Sequence, residues 1–178
     1  MKATLIGIVT LLALGAGTLR ADLSSVALAE EDDWPAFRGP SGNGISSEKS
    51  APTTWGQDKN IKWKVALPLP GNGSPIVSNG RVFLAGSEDK EGKKRALYCF
   101  DRKDGKPLWV KTVDFGKEMR THQTNTHSPS TPASDGKSVV VWHGSAGLHC
   151  YDFEGKPLWS RDLGEFEDRK STRLNSSH

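Results

Sequence analysis

The chain has 178 residues, 35% of them hydrophobic and 25% charged, with a formal net charge of +3. That excess sits at the two ends: Lys2 and Arg20 against Asp22 give +1, and Arg169, Lys170 and Arg173 against Asp168 give +2, which leaves the body of the chain at zero. The basic balance therefore excludes charge as an argument for a nucleic-acid partner or an anionic membrane surface, and the apolar run Leu5 to Leu14 is too short to span a bilayer.

Residues 1–29 read as an export signal. Lys2 supplies the positive start, the apolar run follows, and Ala27-Leu28-Ala29 is a small-x-small cleavage site before Glu30-Glu31-Asp32-Asp33. An earlier cut near Ala21 is the alternative. No Cys follows the run, which argues against a lipid anchor. The mature chain is expected to be periplasmic or extracellular, with no membrane span once the signal is removed. Residues 30–60 read as an N-terminal extension. Within it, Gly39-Pro40-Ser41-Gly42-Asn43-Gly44 follows no apolar strand and opens no helix, so it fails as a phosphate loop and reads as a flexible connection.

From residue 61 to 167 the chain repeats itself. Gly105-Lys106-Pro107-Leu108-Trp109 recurs as Gly155-Lys156-Pro157-Leu158-Trp159, 50 residues later. Leu97-Tyr98-Cys99-Phe100-Asp101 precedes the first copy and Leu148-His149-Cys150-Tyr151-Asp152 the second. Upstream, Ser74 to Gly80 answers Thr131 to Gly136, and each leads into a β-branched run. A period of about 40–50 residues points to a propeller or array. Each repeat predicts four strands: Ser74–Ser78, Arg81–Gly86, Arg95–Asp101 and Leu108–Asp114, then Ser130–Ser134, Ser138–His143, Leu148–Asp152 and Leu158–Leu163. Asn79-Gly80 and Asp135-Gly136 are two-residue hairpin signals. Four antiparallel strands per repeat make one propeller blade. Ile61-Lys62-Trp63-Lys64-Val65 resembles Pro107 to Lys111, a fourth strand with no first three before it; ring closure by an N-terminal strand accounts for that phase. The predicted fold is an all-β propeller of about two blades plus this orphan strand.

Cys99-x-Asp101-x-x-Asp104-Gly105-x-x-x-Trp109 resembles the tryptophan-docking repeat of the quinoprotein-type, PQQ-like β-propeller family, A-x-D-x-x-T-G-x-x-x-W. The Cys150 to Trp159 copy keeps Asp152, Gly155 and Trp159, with a turn one residue shorter. Asp33-Trp34-Pro35-Ala36-Phe37-Arg38-Gly39-Pro40 also resembles the opening of exported bacterial members. In this pattern Trp109, Trp159 and Trp63 can pack between blades and donate an indole N–H to a carbonyl. Asp101 and Asp152 can accept turn N–H groups, and Gly105 and Gly155 allow positive φ. These are structural roles. The resemblance implies a non-catalytic scaffold that binds a protein or small-molecule ligand at a propeller face. The alternative it implies is a quinone-dependent oxidoreductase using pyrroloquinoline quinone (PQQ) and calcium.

Other polar residues carry less. Cys99 and Cys150 hold equivalent repeat positions, which should lie beyond the roughly 7 Å Cα limit for a disulfide, so they read as small buried hydrophobes. His122, Asn125 and His127 lie in the connection between the two blades, where scaffold-held loops place binding residues; they form the candidate ligand loop, with no further metal ligand at short range. His143 and His149 read as strand-face residues. Asn72-Gly73-Ser74 fits a glycosylation pattern but is followed by Pro75. G-x-S-x-G, Walker, H-E-x-x-H and C-x-x-C patterns are absent from the sequence. Asp168 to His178 has no periodicity or apolar face and is, residue for residue, the translation of a common short-read sequencing adaptor. Residues 168–178 are therefore expected to be read-through, with gene sequence ending near Glu167.

Overall fold

A computed structural model of the chain describes residues 33–119, 121 and 124–165. The expected signal and the adaptor-like tail lie outside these described residues.

Among the described residues, eight strands form two four-stranded antiparallel sheets in meander order. The first contains β1 (Ile76–Ser78), β2 (Arg81–Ser87), β3 (Lys94–Asp101) and β4 (Pro107–Asp114). The second contains β5 (Ala133–Ser134), β6 (Ser138–Trp142), β7 (Leu148–Asp152) and β8 (Pro157–Arg161). These are two blades of a β-propeller, with equivalent registers: Ile76↔Phe83↔Cys99↔Trp109 across the first and Ala133↔Val140↔Cys150↔Trp159 across the second.

The differences from the predicted strands have local causes. β1 and β5 start late because Pro75 and Pro132 have no N–H for a ladder. Asn79 and Gly80 both adopt positive φ, 47° and 71°, as a two-residue hairpin of type I′ requires. The second hairpin is not of this kind: β5 and β6 are joined through Asp135-Gly136-Lys137. There the Asp135 carboxylate accepts the N–H groups of Lys137 and Ser138, at 2.9 and 2.7 Å, which favours a longer loop. His143 falls beyond β6, before a 3-10 turn at Gly144–Ala146. Ile61–Val65 joins no ladder among the described residues, so it is not a paired strand there.

The core lies between the sheets. Ile76, Phe83, Ala85, Leu97 and Cys99 of the first blade pack against Val139, Val141, Tyr151 and Phe153 of the second, with Trp109 at the edge. Each fully buried large side chain contributes roughly 1.5–3 kcal/mol. The opposite face of the first blade, Ala96, Tyr98 and Phe100 with Val82 beside them on β2, packs against Val65. With alternate residues facing opposite covers, β3 is buried along nearly its whole length.

The N-terminal segment ties the blades at their first strands. Trp34 exchanges backbone hydrogen bonds with Val77 (2.9 and 3.0 Å), and the Pro35 carbonyl accepts the Ser134 N–H at 2.8 Å. Arg38 to Gly44 is a series of hydrogen-bonded turns. Because the strands alternate in direction, the β2–β3 and β6–β7 hairpin ends and the connection from β4 to β5 all open at one end of the blades.

Candidate functional site

The repeat residues mark how one unit grips the next. Trp109, on β4, donates its indole N–H to the Phe153 carbonyl at 2.8 Å, and Trp63 donates to the Arg102 carbonyl at 2.9 Å. Phe153 and Arg102 each follow the motif Asp, so each Trp docks on the β3–β4-type turn of the following unit. Gly105 and Gly155 make room for this: a Cβ would lie 2.6 Å from the Trp63 ring at Gly105 and 3.0 Å from the Trp109 ring at Gly155. Asp101 accepts the Lys103 N–H at 2.6 Å and Asp152 the Lys156 N–H at 2.7 Å. The one-residue difference in turn length is visible too. Gly105 N–H reaches back to the carbonyl of Asp101, four residues earlier, and Gly155 N–H to that of Asp152, three earlier. Trp159, in the same repeat position, is 42% exposed.

Both cysteines are free and buried. Burial pushes the Cys99 thiol up to about 12, which makes it unreactive as a nucleophile. Of the predicted ligand loop, His122 lies outside the described residues, Asn125 is exposed and His127 is half-buried. The His127 ring packs on Gly92, where a Cβ would approach to 2.4 Å.

His127 belongs to a different group, which sequence reasoning missed. Its carbonyl accepts a hydrogen bond from Arg95 Nη1. Arg95 is 3% exposed, Ser128 3% and His143 5%. Among the described residues, Arg95 Nε, His127 Nδ1, Ser128 Oγ and His143 Nε2 are buried without a hydrogen-bond partner. Burial lowers the pKa of the Arg95 guanidinium, opposed by the charge of Asp89, whose two oxygens are taken by the Lys93 and Lys94 N–H groups. Burial, then the charges of His149 and Arg95, pull His143 down to about 3. Burial and Arg95 also lower His127. Both imidazoles are therefore neutral near pH 7, and the cluster carries the single positive charge of Arg95. His149 lies beside it on β7, ring centroid 5.8 Å from that of His143, and its Nε2 meets the Ala146 carbonyl at 2.8 Å. The only sequence signal was a charged residue at the head of the apolar run Ala96 to Phe100, which also fits an exposed strand start.

Calcium takes about 6–8 oxygen ligands. Among the described residues no three His, Cys, Asp or Glu side chains are placed to hold a metal ion, and Cys99 and Cys150 lie in separate sheets. The described residues do not fit a quinone–calcium centre. Also among them, no helix is long and apolar enough to cross a membrane.

Residues 47–165 match the family model described as outer membrane protein assembly factor BamB. The chain belongs to this PQQ-like β-propeller family. Among solved structures, it is similar to the crystal structure of BamB from Moraxella catarrhalis, at 18% identity and a TM-score of 0.40. That match covers 56% of this chain and 26% of the other, so the chain spans about a quarter of the length of that relative. No curated protein matches it.

Proposed function

We propose that the protein is an exported, non-catalytic scaffold that holds a protein partner on a propeller face. The observation that carries this reading is the family match over residues 47–165 to an outer-membrane assembly factor. The geometry agrees with it: Trp109, Gly105 and Gly155 serve contact between successive units, and Asp101 and Asp152 hold the turns on which that contact is made. The same fold hosts many activities, so the test includes the catalytic alternative. The purified protein is titrated with an unfolded outer-membrane β-barrel polypeptide, and separately supplied with PQQ and calcium in a dye-reduction assay with alcohols and sugars. Saturable binding without dye reduction is expected. No binding, or quinone-dependent dye reduction, would overturn the scaffold reading.

A further inference from the structure

Four of the five buried side-chain polar atoms that lack a hydrogen-bond partner among the described residues belong to one cluster: Arg95 Nε, His127 Nδ1, Ser128 Oγ and His143 Nε2. Such atoms are rare in folded proteins and each is costly to leave unpaired. A buried guanidinium without an ion pair is costlier still. Among the described residues, the ion pairs Arg81–Glu154, Lys106–Asp104 and Lys117–Glu165 do not involve Arg95.

We propose that Arg95, Ser128 and His143 form a buried carboxylate-binding site between the two blades. Arg95 projects from the start of β3, Ser128 from the connection between the blades and His143 from the end of β6, so both blades and their link contribute. Arg95 Nη1 is occupied by the His127 carbonyl, which fixes the plane of the guanidinium. Among the described residues Nη2 meets only the Met119 sulfur, at 3.7 Å, a weak acceptor. The Nε–H and Nη2 edge is therefore left, and it is the side-on fork that fits a carboxylate with two parallel hydrogen bonds. Ser128 and the His143 imidazole can each donate a further hydrogen bond. Ser128 is tied to the guanidinium through its neighbour His127, and His143 lies close enough for the Arg95 charge to oppose its protonation. Charge selects the ligand class. The Asp89 carboxylate offsets part of the guanidinium charge but is itself held by the Lys93 and Lys94 N–H groups. The free edge between neutral imidazoles therefore suits at most one further negative charge, a carboxylate and not a doubly charged phosphate.

This site is independent of the scaffold reading and is tested on the whole chain by thermal melting at fixed pH and ionic strength, with sodium chloride replaced stepwise. Acetate probes a free small acid, N-acetyl-triglycine a chain end, its amidated form the control, and inorganic phosphate the competing charge class. We expect acetate or the free-acid peptide to raise Tm saturably, and whichever does so identifies the source. Arg95→Gln should abolish the response. Ser128→Ala should raise the half-saturating concentration roughly tenfold; being a small truncation, it carries the test if Arg95→Gln does not fold. No carboxylate effect beyond that of chloride, phosphate matching the carboxylates, or a response unchanged in Ser128→Ala would overturn the assignment.

Discussion

An indole N–H removed from water needs an acceptor, and leaving it unpaired costs about 1–3 kcal/mol. Trp109 meets that need at the Phe153 carbonyl while its ring packs against Phe83 and Tyr151, with centroids at 5.8 and 6.2 Å. Trp109→Ala should therefore destabilise by roughly 3–5 kcal/mol. Trp159→Ala, at the exposed equivalent, should stay within about 1 kcal/mol; urea midpoints of the two variants check the contrast, and equal losses would contradict it. The spacing of Asp, Gly and Trp was legible in the sequence. That each Trp docks on the next unit's turn was not, because the motif names residues within one unit while the contact runs between two. His143 makes a second residue-scale case. Its folded pKa of about 3 lies below the ordinary His value of about 6.5, so the unfolded chain binds the extra proton. The stability that this neutral histidine contributes is complete above about pH 6.5 and is lost as pH falls towards 3. Melting temperature should fall through that window, and His143→Gln should flatten the slope there; an unchanged slope would show that other groups set it.

At the scale of elements, turn chemistry and proline placement govern where strands start and end. The meander order and most strand limits were readable from alternation, hairpin signals and the repeat. Proline trimmed β1 and β5, and the Asp135 carboxylate lengthened the second hairpin, a choice that Asp-Gly alone does not determine. The Arg95 cluster was hidden for another reason: its members come from β3, the inter-blade connection and the end of β6, and no spacing rule links them. Close approach between the connections is a further element-scale demand. Asn72 and Gly73 N–H groups both bond to the Ser128 carbonyl, at 3.2 and 3.0 Å. A Cβ on Gly73 would lie 2.2 Å from the Ser130 carbonyl oxygen. On Gly86 it would lie 2.1 Å from the edge of the Tyr98 ring, which is a side chain and can shift, although Glu88 holds its hydroxyl at 2.6 Å. Overpacking of this kind costs typically about 1–3 kcal/mol. Gly73→Ala should fall at the upper end and Gly86→Ala lower, as read from chemical denaturation. The reverse order would mean that the connections yield more readily than the sheet.

For the molecule as a whole, the two blades differ in how much of their surface is covered. The first has the second blade on one face and Trp63 and Val65 on the other. The second blade presents Ala133, Val140, Trp142, Leu148, Cys150 and Trp159 in the register positions that Ile76, Phe83, Ala85, Leu97, Cys99 and Trp109 hold in the first. The first set is buried against a neighbouring blade, whereas Trp142 and Trp159 are 45% and 42% exposed. Repeat arrays draw their stability from neighbour interfaces, and an apolar sheet face open to water favours association. Among the described residues β8 is also an edge strand, with backbone groups open to pairing. This chain should therefore self-associate as its concentration rises, seen as a growing mass in size-exclusion chromatography with light scattering. Trp159→Lys places a charge in the middle of that face and should shift the distribution towards monomer. Because the side chain is already partly exposed, it should change the unfolding midpoint by no more than about 1 kcal/mol. A monodisperse monomer with a sharp thermal transition, in the unsubstituted chain, would show that the open face is stable in water as it stands.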